Sequence, residues 1–159
     1  MSNEIGDRLV LAVNSNKINI LKKLLTEGAN PNYKDSLGYT PLMYAVSGSD
    51  ESIIKLLLRY GSDPNSKSND LSTPLIIACM YPEYNGLDTI QLLLDFGADL
   101  HSVNLNGDSA LKNAVFYSDG TNFKMIKLLV KCGTTLDLRR MKNYPFKNRM
   151  NELVGLSRT

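Results

Sequence analysis

Residues 38–46 read GYTPLMYAV, with Gly, Thr and Pro set directly ahead of an apolar run. Near-copies return as LSTPLIIAC at 71–79 and GDSALKNAV at 107–115. Thr40 and Thr73 read as helix N-caps, because a threonine oxygen can accept one of the N–H groups that the first turn leaves unpaired. Pro41 and Pro74 then stand at the first helical position, where a missing N–H costs nothing. Ser109 keeps the cap with Ala110 in place of proline, and Asp7 is expected to cap the first unit in the same way. A short helix should follow each cap, with Leu42, Ala45 and Val46, or Leu75, Ala78 and Cys79, on its apolar side. Ala12, Ala45, Ala78 and Ala114 recur at one slot, small enough to let neighbouring helices approach closely.

Downstream of each such helix lies a second pattern. KKLLTEGANPN (22–32), KLLLRYGSDPN (55–65), QLLLDFGADLH (91–101) and KLLVKCGTTLD (127–137) fall into register on their glycines, 33, 36 and 36 residues apart. Apolar residues such as Ile53, Ile54, Leu57 and Leu58 give one face of a helix. Each glycine suits the left-handed residue that ends it. Asn30-Pro31, Asp63-Pro64 and Asp99 open a turn-rich connection to the next cap. The longer spacings put three extra residues in MYPEYNGLD and FYSDGTNFK, one loop on one face of the repeat.

Two motifs that alternate four times in register resemble the ankyrin repeat, over residues 2 to about 138. The resemblance implies an all-α solenoid of stacked helix–turn–helix units joined by β-hairpin or turn connections. We place the units at about 2–34, 35–67, 68–103 and 104–138, with a degenerate C-terminal cap at 139–159, all in one domain. Met43, Ile76 and Lys112 replace the family's histidine, so helix starts weaker by ~1 kcal/mol each are expected. Leu71 stands where a turn glycine is usual, which predicts a distorted tip. In 144–155, Phe146, Met150, Leu153 and Val154 share one helical face and read as a cap over the last unit; a disordered basic tail is the competing reading.

Composition limits the function. A chain of 159 residues with 43% apolar content and net charge +2 can fold without metal or disulfide help and demands no polyanionic partner. The segment 139–159 is nevertheless +5, with six basic residues against Glu152 alone. Cys79 and Cys132 both fall in apolar runs and read as buried, reduced thiols. A secretory signal, an apolar run of membrane length and an Asn-x-Ser/Thr acceptor are all missing from the sequence, the last despite sixteen asparagines. A reducing, cytoplasmic setting is expected.

Catalytic motifs are not found: there is no Gly-x-Gly-x-x-Gly, P-loop, His-Glu-x-x-His or Gly-x-Ser-x-Gly. The lone histidine, His101, takes the slot that Asn32, Asn65 and Asp137 hold elsewhere, so a structural hydrogen-bonding role is expected. Cys79, Cys132 and His101 lack metal-ligand spacing, and Asp50-Glu51 reads as a cap and dipole complement. The expectation is a non-enzyme without cofactors, a monomer that binds a protein partner and no membrane.

The family resemblance implies a concave binding face made of hairpin tips and first-helix ends. Carried over by position, the tips are Ser36, Leu37 and Tyr39, then Asn69, Asp70 and Ser72, then Leu105, Asn106 and Asp108. The helix ends are Ser47 and Gly48, Met80 and Tyr81, Phe116 and Tyr117. Met80, Tyr81, Phe116 and Tyr117 are residue types enriched at interface hot spots, though packing beneath the two lengthened loops would also explain them. The candidate set is Leu37, Tyr39, Asp70, Met80, Tyr81, Leu105, Asp108, Phe116 and Tyr117. Asn-, Lys- and Ile-rich composition with irregular repeat lengths resembles ankyrin proteins of large DNA viruses and intracellular bacteria, which implies a host-directed inhibitor or competitor. Nucleic-acid or acidic-surface binding through 139–159, where Tyr144 and Phe146 sit among the basic residues, is the alternative, and a structural role in a larger assembly is another.

Overall fold

The computed structural model describes residues 2–48, 50–81, 86–117 and 123–134. The expected cap or tail at 139–159, and residues 82–85 and 118–122 of the two inserted stretches, lie outside them. Eight helices are described: α1 (Ser2–Asn14), α2 (Ile18–Thr26), α3 (Pro41–Val46), α4 (Glu51–Arg59), α5 (Pro74–Ala78), α6 (Leu87–Asp95), α7 (Ala110–Phe116) and α8 (Phe123–Lys131). They form four consecutive pairs. The first helices touch in the order α1, α3, α5, α7 and the second helices in the order α2, α4, α6, α8. The result is a two-layered linear stack, the all-α solenoid expected. Among the described residues the connections contain no named strand, and their hairpin character reduces to one antiparallel bridge between Val103 and Ser109.

The caps act as the sequence implies. Thr40, Thr73 and Ser109 hold extended backbone, and their hydroxyls accept from the N–H groups of Met43, Ile76 and Lys112. At the first of these, the Thr40 N–H also reaches the Met43 sulfur at 3.4 Å, so methionine supplies a weak acceptor where histidine is usual. Asp50 caps α4, accepting the Ser52 N–H at 2.8 Å together with the Ser52 hydroxyl; those two bonds hold its carboxyl below the ordinary range. Asp7 departs from expectation. Helix α1 begins five residues earlier, so Asp7 lies inside it and accepts the Tyr33 hydroxyl at 2.7 Å.

Second helices all end alike. Gly28, Gly61, Gly97 and Gly133 take φ of 89°, 86°, 86° and 103°. Each donates to the carbonyl three residues back, and the following N–H reaches five back, as Ser62 does to Leu57. This is the paired closure that satisfies a helix's last carbonyls. The core runs between the layers. Leu21, Ile54, Leu57, Ile90, Leu93 and Leu129 have 1% exposure or less, and the alanine column is buried throughout.

Asparagines tie each connector to the next unit. Asn32 donates to the Gly61 carbonyl at 2.9 Å and accepts from the Asp63 N–H at 2.7 Å. Asn65 repeats this with Gly97 and Asp99, at 2.8 and 2.7 Å. His101, in the same slot, is exposed; its backbone N–H donates to Asp99, and its ring makes no such bond among the described residues. Asn65→Ala is expected to cost about 1–2 kcal/mol, two modest hydrogen bonds, and His101→Ala less than about 0.5 kcal/mol. Urea titration of both variants checks this.

Tips are built on a repeated acceptor slot. Asp35 accepts from the Leu37 and Tyr39 N–H groups, both at 2.9 Å, and Asn104 accepts from Asn106 and Asp108 at 3.0 and 2.9 Å. Leu71 does not distort its tip: at φ 64° it copies the backbone of Gly38 (74°) and Gly107 (70°). The Leu71 N–H donates to Ser68, and Ser72 N–H and hydroxyl both reach the Asp70 carboxylate, so the surrounding bonds hold a leucine in left-handed geometry.

The cysteines differ. Cys79 is fully buried and its thiol is pushed up to about 12 by burial. Cys132 is exposed, contrary to expectation, because it follows the last residue of α8 in the closing turn. A thiol reagent at mildly alkaline pH should therefore modify one cysteine per native chain and both after denaturation, with Cys132→Ser removing the native reaction; two fast native equivalents would contradict this.

Candidate protein-binding face

Hairpin tips of successive units join by single backbone bonds, Asn69 N–H to the Leu37 carbonyl at 3.0 Å and Leu105 N–H to the Asp70 carbonyl at 2.9 Å. This strings three of the candidate residues into one continuous row. Leu37 and Leu105 project outward, 59% and 69% exposed. An apolar side chain at a tip gains nothing from the fold while it stays in water.

Two groupings form beside the row. In the first, the half-buried Tyr39 packs at 5.4 Å from the Tyr44 ring, tilted by 52°. Burial raises its hydroxyl pKa, and the charges of Asp70 and then Tyr81 push in the same direction. Tyr44 supports the group from beneath: its hydroxyl donates to the Asp35 carboxylate, and that bond, with burial, pushes its pKa up to about 12. Asp70 itself is partly committed to the tip. Partial burial works against its charge, but hydrogen bonds from Ser68 and Ser72 outweigh this and hold the carboxyl below its usual range.

The second grouping lies on the fourth unit. Asp108, Lys112, Asn113, Phe116 and Tyr117 line an open depression of about 230 Å³. Phe116 and Tyr117 meet edge to face at 5.0 Å and 76°, a favoured aromatic geometry. Lys112 and Asp108 pair across one helical turn. Phe116 stands 60% exposed and Tyr117 43%. Aromatic residues of this kind are enriched at protein interfaces.

Met80 is half-buried just beyond α5, and Tyr81 is 37% exposed. Ser72, placed among the tips by position, is buried at 2% and spends its polar groups on Asp70; it is not available at the surface. Lys112, Asn113 and Tyr44 were missed. Lys112 was legible as the i+4 partner of Asp108, whereas Asn113 gave no signal, since its column is apolar in the first three units. Asp99 also serves the connector: the His101 N–H, then the Ser102 hydroxyl, hold its carboxyl low.

Among the described residues no three His, Cys, Asp or Glu side chains cluster as a metal site, and no helix is long and apolar enough to cross a membrane. No curated protein matches the chain. A family model for ankyrin repeats (3 copies) matches residues 9–104 and 52–140, a span that holds the Thr40, Thr73 and Ser109 caps, the four closing glycines and every described helix but the start of α1. The chain belongs to the ankyrin-repeat family.

Proposed function

We propose that this ankyrin stack is a non-catalytic recognition module that holds one protein partner against its tips and first-helix ends, with Tyr81, Phe116 and Tyr117 as anchors. Ankyrin repeats generally mediate protein–protein interaction. The finer reading rests on one observation: exposed aromatic residues of the third and fourth units stand beside a continuous tip row with Leu37 and Leu105 outermost. A standard interface of about 1,200–2,000 Å² in total would span that row and both groupings. The mode of action is competition, the module occupying a partner surface that another protein uses, and the host-directed role follows as the extension of that reading.

Affinity capture with wild type and with a Tyr81→Ala, Tyr117→Ala double variant tests the face. Both side chains are substantially exposed, so the fold should survive the change. Retained partners should bind the double variant about tenfold more weakly or worse, since anchors of this kind each contribute more than about 1 kcal/mol. Unchanged affinity would reject the face.

A further inference from the structure

The first helical pair presents an outer face that no later unit leaves open. Ile20 corresponds by repeat to Ile53, Thr89 and Met125, which are 1%, 4% and 2% exposed, yet Ile20 is 45% exposed. Leu11 corresponds to Tyr44, Ile77 and Asn113. Ile77 and Asn113 are 1% and 5% exposed, while Leu11 is 65% exposed. That column faces the preceding unit, because the Asn113 amide donates back to the Ile76 carbonyl of α5 at 3.4 Å. The outer face of α1 and α2 therefore carries the residue types that the later units bury against the unit before them. Between the two helices lies a depression of about 220 Å³, lined by Arg8, Leu11, Ala12, Ser15, Lys17 and Ile20.

We propose that this face docks an amphipathic helix of another protein whose apolar stripe is flanked by carboxylates. The apolar floor fits the helix-in-groove mode of recognition. The charges choose the occupant. Both ionisable groups lining the depression, Arg8 and Lys17, are cations, and neither belongs to an ion pair among the described residues. Glu4, one turn before Arg8 on α1, does not line it. A second copy applied to this face by a two-fold axis presents the same patch to itself, so cations meet cations; an acidic helix meets them with opposite charge. The inference stands apart from the tip-and-helix-end reading, which uses the third and fourth units.

The probe is a short, labelled synthetic helix with leucines along one stripe and glutamates beside it, followed by fluorescence anisotropy at low and high salt. Wild type should bind it saturably, more weakly as salt rises. L11Q/I20Q and R8E/K17E should each weaken binding about tenfold or more, and R8E/K17E should prefer a version with lysines in place of glutamates. Leu11 and Ile20 are exposed, so both variants should keep wild-type circular dichroism, and Y81A/Y117A should bind as wild type does. Absence of saturable binding, or binding indifferent to both variants, overturns the proposal. So does sedimentation showing a wild-type dimer that L11Q/I20Q disperses, since the occupant is then a second copy.

Discussion

Leu57→Ala should remove about 3–4 kcal/mol of folding stability, the largest single loss expected in this chain. Leu57 has no exposure and lies in the C-terminal half of α4, which packs on α3, on α2 and on α6. Truncation removes three carbon atoms and leaves a void, because helices fixed on three sides cannot collapse into it. In a stack each unit contacts only its neighbours, so weakening the second unit also loosens the first from the third. A lower urea midpoint is expected, and a second transition or a reduced slope would mark separation of the stack. Leu11→Ala, at a site 65% exposed, should shift stability by no more than about 0.5 kcal/mol. Equal losses at the two positions would mean that burial does not govern stability here.

Gly38→Ala is expected to cost about 2–3 kcal/mol, for two separable reasons. At φ 74° a β-carbon is disfavoured by roughly 1 kcal/mol. It would also stand 2.6 Å from the Asn69 side-chain oxygen and 2.8 Å from the Asn69 backbone nitrogen. The side chain can swing aside; the nitrogen cannot, because its N–H donates to Leu37 and ties two tips together. Gly61→Ala supplies the control. Its φ is 86° and nothing lies within 4 Å of the added carbon, so only the conformational cost of about 1 kcal/mol remains. Thermal unfolding of the pair measures the difference, which is the steric part alone.

Much of the fold was legible because it is written in local chemistry repeated at fixed intervals. Thr40, Thr73 and Ser109 cap, four glycines close, and the alanines allow close packing, each from its own side chain and backbone preference. The misreadings come from residues whose environment differs from their position in the repeat. Asp7 looks like a cap, but α1 already begins at Ser2, five residues before it, and Asp7 spends its carboxylate on the Tyr33 hydroxyl instead. Leu71 keeps a glycine's geometry because Ser68, Asp70 and Ser72 enforce it from outside the residue. Cys132 sits in an apolar run yet points outward, since a closing turn changes direction at that residue.

The candidate face was partly legible for the same reason. Position in the repeat placed Leu37, Leu105, Phe116 and Tyr117 outside, and they are exposed. Neighbourhood across units was not legible. Tyr39 belongs to the second unit and Asp70 and Tyr81 to the third, so their electrostatic influence on the Tyr39 hydroxyl arises only through stacking. The double commitment of Asp70, to surface and to tip, likewise depends on hydroxyls that composition alone cannot aim.

Everything rests on the four helical pairs standing in line, and spin-label distances test that directly. Lys22, Lys55, Gln91 and Lys127 occupy one exposed column of the second helices. Labels placed at Lys22 and at each of the others, in a Cys132→Ser background, should separate by about 8–10 Å more with each unit passed, the spacing of packed helices. A Lys22–Lys127 distance no greater than Lys22–Gln91 would contradict the linear stack.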